Sequence, residues 1–145
     1  MTVATVMTEF PACCTPSSSL TEVARLMVDN DCGEIPVVED LATRKLAGVL
    51  TDRDIATRIV AAGRNSAQAC AADCMTAPCV SVTADMSLDE CCELMEANQI
   101  RRVPVVDDQK AVIGIVSLAD IVRFASAATT VAVVKEVSAD TAHRH

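Results

Sequence analysis

The chain has 145 residues (15.3 kDa), 51% of them apolar and 22% charged, so it can bury a core and is not a disordered sequence. Its net charge of −8, with no Trp or Tyr and only Phe10 and Phe124 as aromatics, excludes a binder of phosphate backbones and stacked bases. The two histidines both fall in the last three residues, and four scattered glycines (Gly33, Gly48, Gly63, Gly114) make neither GxGxxG nor GxxxxGKS, so hydrolytic triads, HExxH zinc chemistry and phosphate loops are excluded and the chain reads as a non-enzyme.

In chain order, the opening MTVATVMTEF lacks the basic-then-apolar order of a signal peptide. No apolar run reaches the roughly 18 residues of a membrane span, and the expected address is the cytoplasm. A short strand is expected from Cys13 to Pro16. Ser19 and Glu22 then form a Ser-x-x-Glu capping box, in which the Ser oxygen accepts an amide of the first turn and the Glu reaches back. Leu20, Val23, Ala24 and Met27 follow on one face of an amphipathic helix. Two apolar runs, Ile35 to Val38 and Leu46 to Leu50, are separated by a polar turn and suit a hairpin. Thr51 opens a further helix, and Ala62 to Ala69 breaks the helical pattern as a linker.

The same order then returns. Shifted by 68 residues, Val6-Met7-Thr8 falls on Cys74-Met75-Thr76, and 15–40 matches 83–108 at 11 of 26 positions. At an offset of 66, LAGVLTDRDI (46–55) lies on VIGIVSLADI (112–121). The second copy therefore has a strand at Cys79 to Thr83, a helix capped by Ser87 and Glu90, a hairpin of Val103 to Val106 with Val112 to Val116, and a helix after Ser117. The chain is a tandem of one strand-helix-strand-strand-helix unit. One unit alone is too small to bury a two-sided sheet well, and two packed about a pseudo-twofold axis are not. The divisions are a first repeat over 1–62, a linker over 63–69, a second repeat over 70–127 and a tail over 128–145. In the tail, TTVAVVKEV has strand propensity and SADTAHRH reads as frayed.

Eight cysteines contain no CxxC and have no internal histidine to complete a zinc site. Cys91 and Cys92 stand where the first copy has Val23 and Ala24, and Cys32 stands where the second has Ile100, which favours reduced core filler. A disulfide or thiol redox role is the alternative.

The segments IPVV…GVLTDRD and VPVV…GIVSLAD resemble the tandem cystathionine-β-synthase-type (CBS) repeat, the Bateman module, over about residues 6 to 126. The resemblance to stand-alone bacterial members implies an α/β (α+β) fold of two β-α-β-β-α repeats with two clefts at their interface. It implies reversible binding of an adenine nucleotide (AMP, ADP, ATP) or another adenosyl ligand as a regulatory signal. The expected assembly is a homodimer acting on an unidentified regulated protein, with no catalytic cofactor, nucleic acid or membrane.

In each copy Thr/Ser-x-x-Asp puts an Asp at the third position of a helix: Thr51 with Asp54, and Ser117 with Asp120. Capping alone explains both pairs, since a carboxylate there meets the positive end of the helix dipole. A ligand uses the same geometry, with Asp on the ribose hydroxyls and the Ser or Thr hydroxyl and free amides facing phosphate. For phosphates the resemblance implies a basic residue just before the Val-Pro strand. Arg102 is the first candidate, Arg101 the second, and Arg53 lies within TDRD. The matching positions in the first copy are Gly33 and Glu34, so the two clefts are expected to differ. Pro36 and Pro104 each remove a ladder donor and hold the strand extended. Ile35, Val103 and Ile115 are candidate aliphatic walls for a base, and Thr15 and Thr83 resemble family positions that line the cleft. The rival readings are a protein-interaction module without nucleotide and a cysteine-based redox sensor.

Overall fold

The computed structural model describes residues 1–127. The strand and frayed end expected in 128–145 lie outside the described residues. The first copy comprises α1 (Val3–Val6), β1 (Thr8–Glu9), α2 (Leu20–Asp29), the hairpin β2 (Glu34–Val38) and β3 (Leu46–Thr51), and α3 (Asp52–Ile55), which runs on as a π-helical turn over Ala56–Val60. Two 3-10 turns (Ser66–Gln68 and Ala71–Asp73) lead to the second copy: β4 (Val82–Thr83), α4 (Leu88–Asn98), the hairpin β5 (Arg102–Val106) and β6 (Val112–Ser117), and α5 (118–127).

The expected helix starts are present in modified form. Ser19 and Ser87 each accept the amide three residues on, at 3.1 Å. Glu90 reaches back only to the Ser87 hydroxyl, accepting from it at 3.0 Å, whereas Asp54 accepts the Thr51 amide to close a complete capping box and Asp73 accepts the Cys70 amide at 2.8 Å. The strands expected over Cys13 to Pro16 and Cys79 to Thr83 are shorter than predicted, a single bridge from Cys14 to Val37 and the two residues of β4.

One sheet has the order β1-β6-β5-β4, and β2 pairs with β3 in the other. Both follow one plan. Val82 pairs in parallel with Val105 as Cys14 does with Val37, and Thr8 pairs antiparallel with Ile115 as Thr76 does with Val49. Lys45 and Ala111 bridge one another on the pseudo-twofold axis, where Val38, Val106 and Val112 form a small shared core.

The leading segments are exchanged. Val3 is fully buried in the core of the second copy, with Val6 and Met7 packed against it, whereas Ala71 and Cys74 are buried in the core of the first. The docking bonds match as well: Val3 N–H donates to Met86 O at 2.9 Å, and Ala71 N–H to Ser18 O at 2.8 Å. Gly48 and Gly114 are where the exchanged segments cross the hairpins. A Cβ at Gly48 would stand 2.5 Å from the Thr76 carbonyl oxygen, and one at Gly114 2.7 Å from Met7 Sδ. Each copy thus completes the other's sheet and core, which solves the size problem of a sixty-residue unit.

Candidate functional site

A side chain reaches the seam or the core according to strand alternation. In β2, Ile35 and Val37 enter the first core, and in β5, Val103 and Val105 enter the second. Glu34 and Arg102, one residue earlier, therefore face the other way. They are repeat mates, and both line a cavity of about 510 Å³. The rest of its wall comes from both copies. The exchanged segment supplies Thr8 to Ala12 and the turn after α2 supplies Asn30, Asp31 and Cys32; β6 supplies Ile115 and Ser117, and α5 supplies Ala119, Asp120 and Arg123.

Four of the sequence-derived candidates meet here: Asp120, Ser117, Arg102 and Ile115. Ser117 is the N-cap of α5 and its Oγ accepts the Asp120 amide at 3.0 Å. Among the described residues the Asp120 carboxylate does not return a bond to the Ser117 amide; Arg123 donates to its Oδ1 instead.

Asp54 is held differently. Its Oδ2 accepts the Thr51 amide at 3.0 Å, Thr51 Oγ1 accepts the Asp54 amide at 3.0 Å, and Arg58 Nε lies 3.7 Å from Oδ1. Both oxygens are engaged. Arg53 is exposed at the start of α3, its amide donating to Asp52 Oδ1 at 2.8 Å. Arg101 lies on a separate hollow with Cys92, Met95 and Leu118, and its carbonyl accepts the Leu118 amide at 2.7 Å. Thr15 lies on another hollow beside Ser17 and Ser18, and Thr83 donates to Asp85 Oδ1 at 2.6 Å. The side chains of Ile35 and Val103 are fully buried in the two cores, and Pro36 and Pro104 are buried within their strands.

Among the cavity residues that are not sequence candidates, Arg123 and Glu34 bear most on its chemistry. Arg123 had a signal, three residues after Asp120 on the same helical face. Glu34 had one too, since alternation sets it opposite Ile35. It is only 9% exposed, and its Oε2 has no hydrogen-bond partner. Burial pushes its carboxyl up to about 7; Arg102 opposes the rise and Asp54 adds to it.

The cysteines are all free thiols. Burial pushes Cys14 up to about 12 and Cys79 and Cys91 up to about 11, and it raises Cys13, Cys32, Cys74 and Cys92 as well. Thiols held protonated are weak nucleophiles. Among the described residues no three His, Cys, Asp or Glu side chains are grouped to hold a metal ion, and no helix is long and apolar enough to cross a membrane.

Comparison with known proteins agrees with this geometry. The CBS domain family model matches residues 3–61 and 71–127. The CBS domain-containing protein YhcV of Bacillus subtilis is 43% identical over 115 residues, 79% of each chain. The crystal structure of Hypoxic Response Protein I with two coordinated zinc ions superposes with a TM-score of 0.76 at 35% identity, over 85% of this chain and 98% of that one. The CBS domain pair of protein MJ0100, solved with 5′-methylthioadenosine and S-adenosyl-L-methionine, superposes with a TM-score of 0.76 at 28% identity, over 88% of this chain and 97% of that one.

Proposed function

The chain belongs to the CBS domain family, and on that premise we propose that it is a non-catalytic regulatory module that binds an adenosyl ligand in the cleft built on Asp120. The observation that carries this reading is the contrast between the two aspartates. Asp54 is engaged at both oxygens by its own helix, whereas Asp120 lines a cavity and lends one oxygen to a half-exposed pair with Arg123. Two ribose hydroxyls are donors suited to such a carboxylate, and hydrogen bonds to a charged acceptor are the stronger kind. Ser117, Ala119 in the first turn of α5 and the guanidinium of Arg102 border the same space and suit the 5′ group of the ligand.

Both copies build the wall, so a ligand there binds one relative arrangement of the repeats better than others and shifts the population towards it. The repeats 1–62 and 70–127, joined by 63–69, act as one ligand-binding unit. A homodimer through the helical faces is supported by exposed Val28, Val60 and Val122. The module acts in the cytoplasm on a separate regulated protein, with adenine nucleotides (AMP, ADP, ATP) among the candidate signals.

Titration calorimetry with adenosine and AMP tests the site. Asp120→Ala is expected to weaken both at least about tenfold, equivalent to 1.4 kcal/mol, with Asp54→Ala changing them little. Equal effects of the two substitutions would refute the assignment. A second reading, an interaction module with an empty cleft, is favoured by the buried Glu34 in the cavity wall. It predicts no thermal shift with any adenosyl compound, whereas a ligand at about 100 times its Kd adds roughly 2.7 kcal/mol of stability.

A further inference from the structure

We infer that Glu34 sets the charge of the ligand, admitting an adenosyl compound whose 5′ substituent is neutral or cationic and opposing one that carries a polyphosphate. The inference rests on the adenosyl reading of the Asp120 cleft and adds its ligand class. Glu34 lines the same cavity as Asp120, is more than nine-tenths buried, and leaves Oε2 without a partner. A sealed acceptor that the protein does not satisfy is costly, and a donor brought by the ligand removes that cost.

The surroundings point the same way. Arg102, the repeat mate of Glu34 across the seam, makes no ion pair with it within 4.0 Å among the described residues, and Asp54 is near enough to disfavour its negative charge. Around the cavity stand the carboxyl groups of Glu9, Asp31, Glu34 and Asp120 against the guanidiniums of Arg102 and Arg123. Arg123 is already bonded to Asp120, which leaves Arg102 as the cation available to an anion. A polyphosphate on Arg102 would meet Glu34 at close quarters, and like-charge juxtaposition is an effective means of rejection. An ammonium or sulfonium group there would find the carboxylate it lacks.

The test is calorimetry with S-adenosylmethionine, ATP and adenosine on the full chain, its E34Q variant and its D120A variant. At pH 8, where Glu34 is mostly ionised, the wild type should bind S-adenosylmethionine at least about tenfold more tightly than ATP. At that pH E34Q should raise ATP affinity by a similar factor, lower that for S-adenosylmethionine, and leave adenosine within about threefold. For ATP, the ratio of variant to wild-type affinity should grow roughly tenfold from pH 6 to pH 8, as Glu34 passes from mostly protonated to mostly ionised around a pKa of about 7. If adenosine binding depends on Asp120 but E34Q leaves the ratio of the charged ligands unmoved, or ATP binds the wild type as tightly as S-adenosylmethionine, the inference is overturned and the site stands. If adenosine ignores D120A, the site assignment fails and takes the inference with it.

Discussion

Replacing Glu34 with Gln should alter the pH profile of stability in a way that isolates one buried carboxyl. Glu34 is 9% exposed and its folded pKa is raised from 4.5 to about 7, mainly by loss of solvent. Below pH 4.5 the group is protonated in folded and unfolded chains alike, and its contribution to stability is fully present. Between 4.5 and 7 the folded chain holds more protons than the unfolded one, so stability falls as pH rises, and the loss is complete above about 7. The difference amounts to roughly 3 kcal/mol at saturation. For a chain of this length that is on the order of 6–12 °C in Tm. Asp40 and Asp73, held below the ordinary carboxylate range chiefly by backbone hydrogen bonds, act in the opposite sense at acid pH. They are common to both proteins and cancel in the comparison. Thermal melts of wild type and E34Q at pH 4, 5, 6, 7 and 8 should lie closest at pH 4, separate progressively to about pH 7 and hold that gap at pH 8, with the variant the more stable. A constant offset across that range would refute the claim that Glu34 is buried and unpaired.

Two further outcomes concern the exchange and the thiols. Gly48→Ala places a Cβ 2.5 Å from the Thr76 backbone oxygen, inside the Val49–Thr76 bridge, and should cost about 1–3 kcal/mol in urea denaturation. Gly114→Ala should cost less, because the nearest atom there is the flexible Met7 Sδ, and equal losses would argue against the exchanged packing. Thiol titration of the native protein at pH 8 should modify exposed Cys32 first and leave Cys14, Cys79 and Cys91 slow, since burial holds those three up to about 11 or 12. Rapid reaction of all three would revive the redox-sensor reading.

Much of the fold was legible because it is written twice. The offset of 68 pairs Ser19 with Ser87, and Pro36 with Pro104, and those pairs cap equivalent helices and lie in equivalent strands. The exchange was not legible. A four-residue helix and a two-residue strand are too short to show a hydrophobic period, and Thr8 finds its partner at Ile115, far along the chain. In the site, the doubled Thr/Ser-x-x-Asp marked Asp54 and Asp120 but could not rank them. Their difference arises one turn further on. Arg58 follows Asp54 by four and its counterpart is Phe124, while Arg123 follows Asp120 by three and its counterpart is Thr57. Glu34 was visible only as a departure from Arg102. Its place on the cavity wall follows from strand alternation combined with knowing which face of β2 meets the other copy.

The account stands on a ribose diol held by Asp120. Calorimetric titration of the wild-type chain with adenosine and with 2′,3′-dideoxyadenosine compares ligands that differ in those two hydroxyls. Loss of hydrogen bonds to a charged acceptor, about 1.5–3 kcal/mol, should weaken the dideoxy compound by roughly 10- to 100-fold. Equal affinities for the two nucleosides would contradict it.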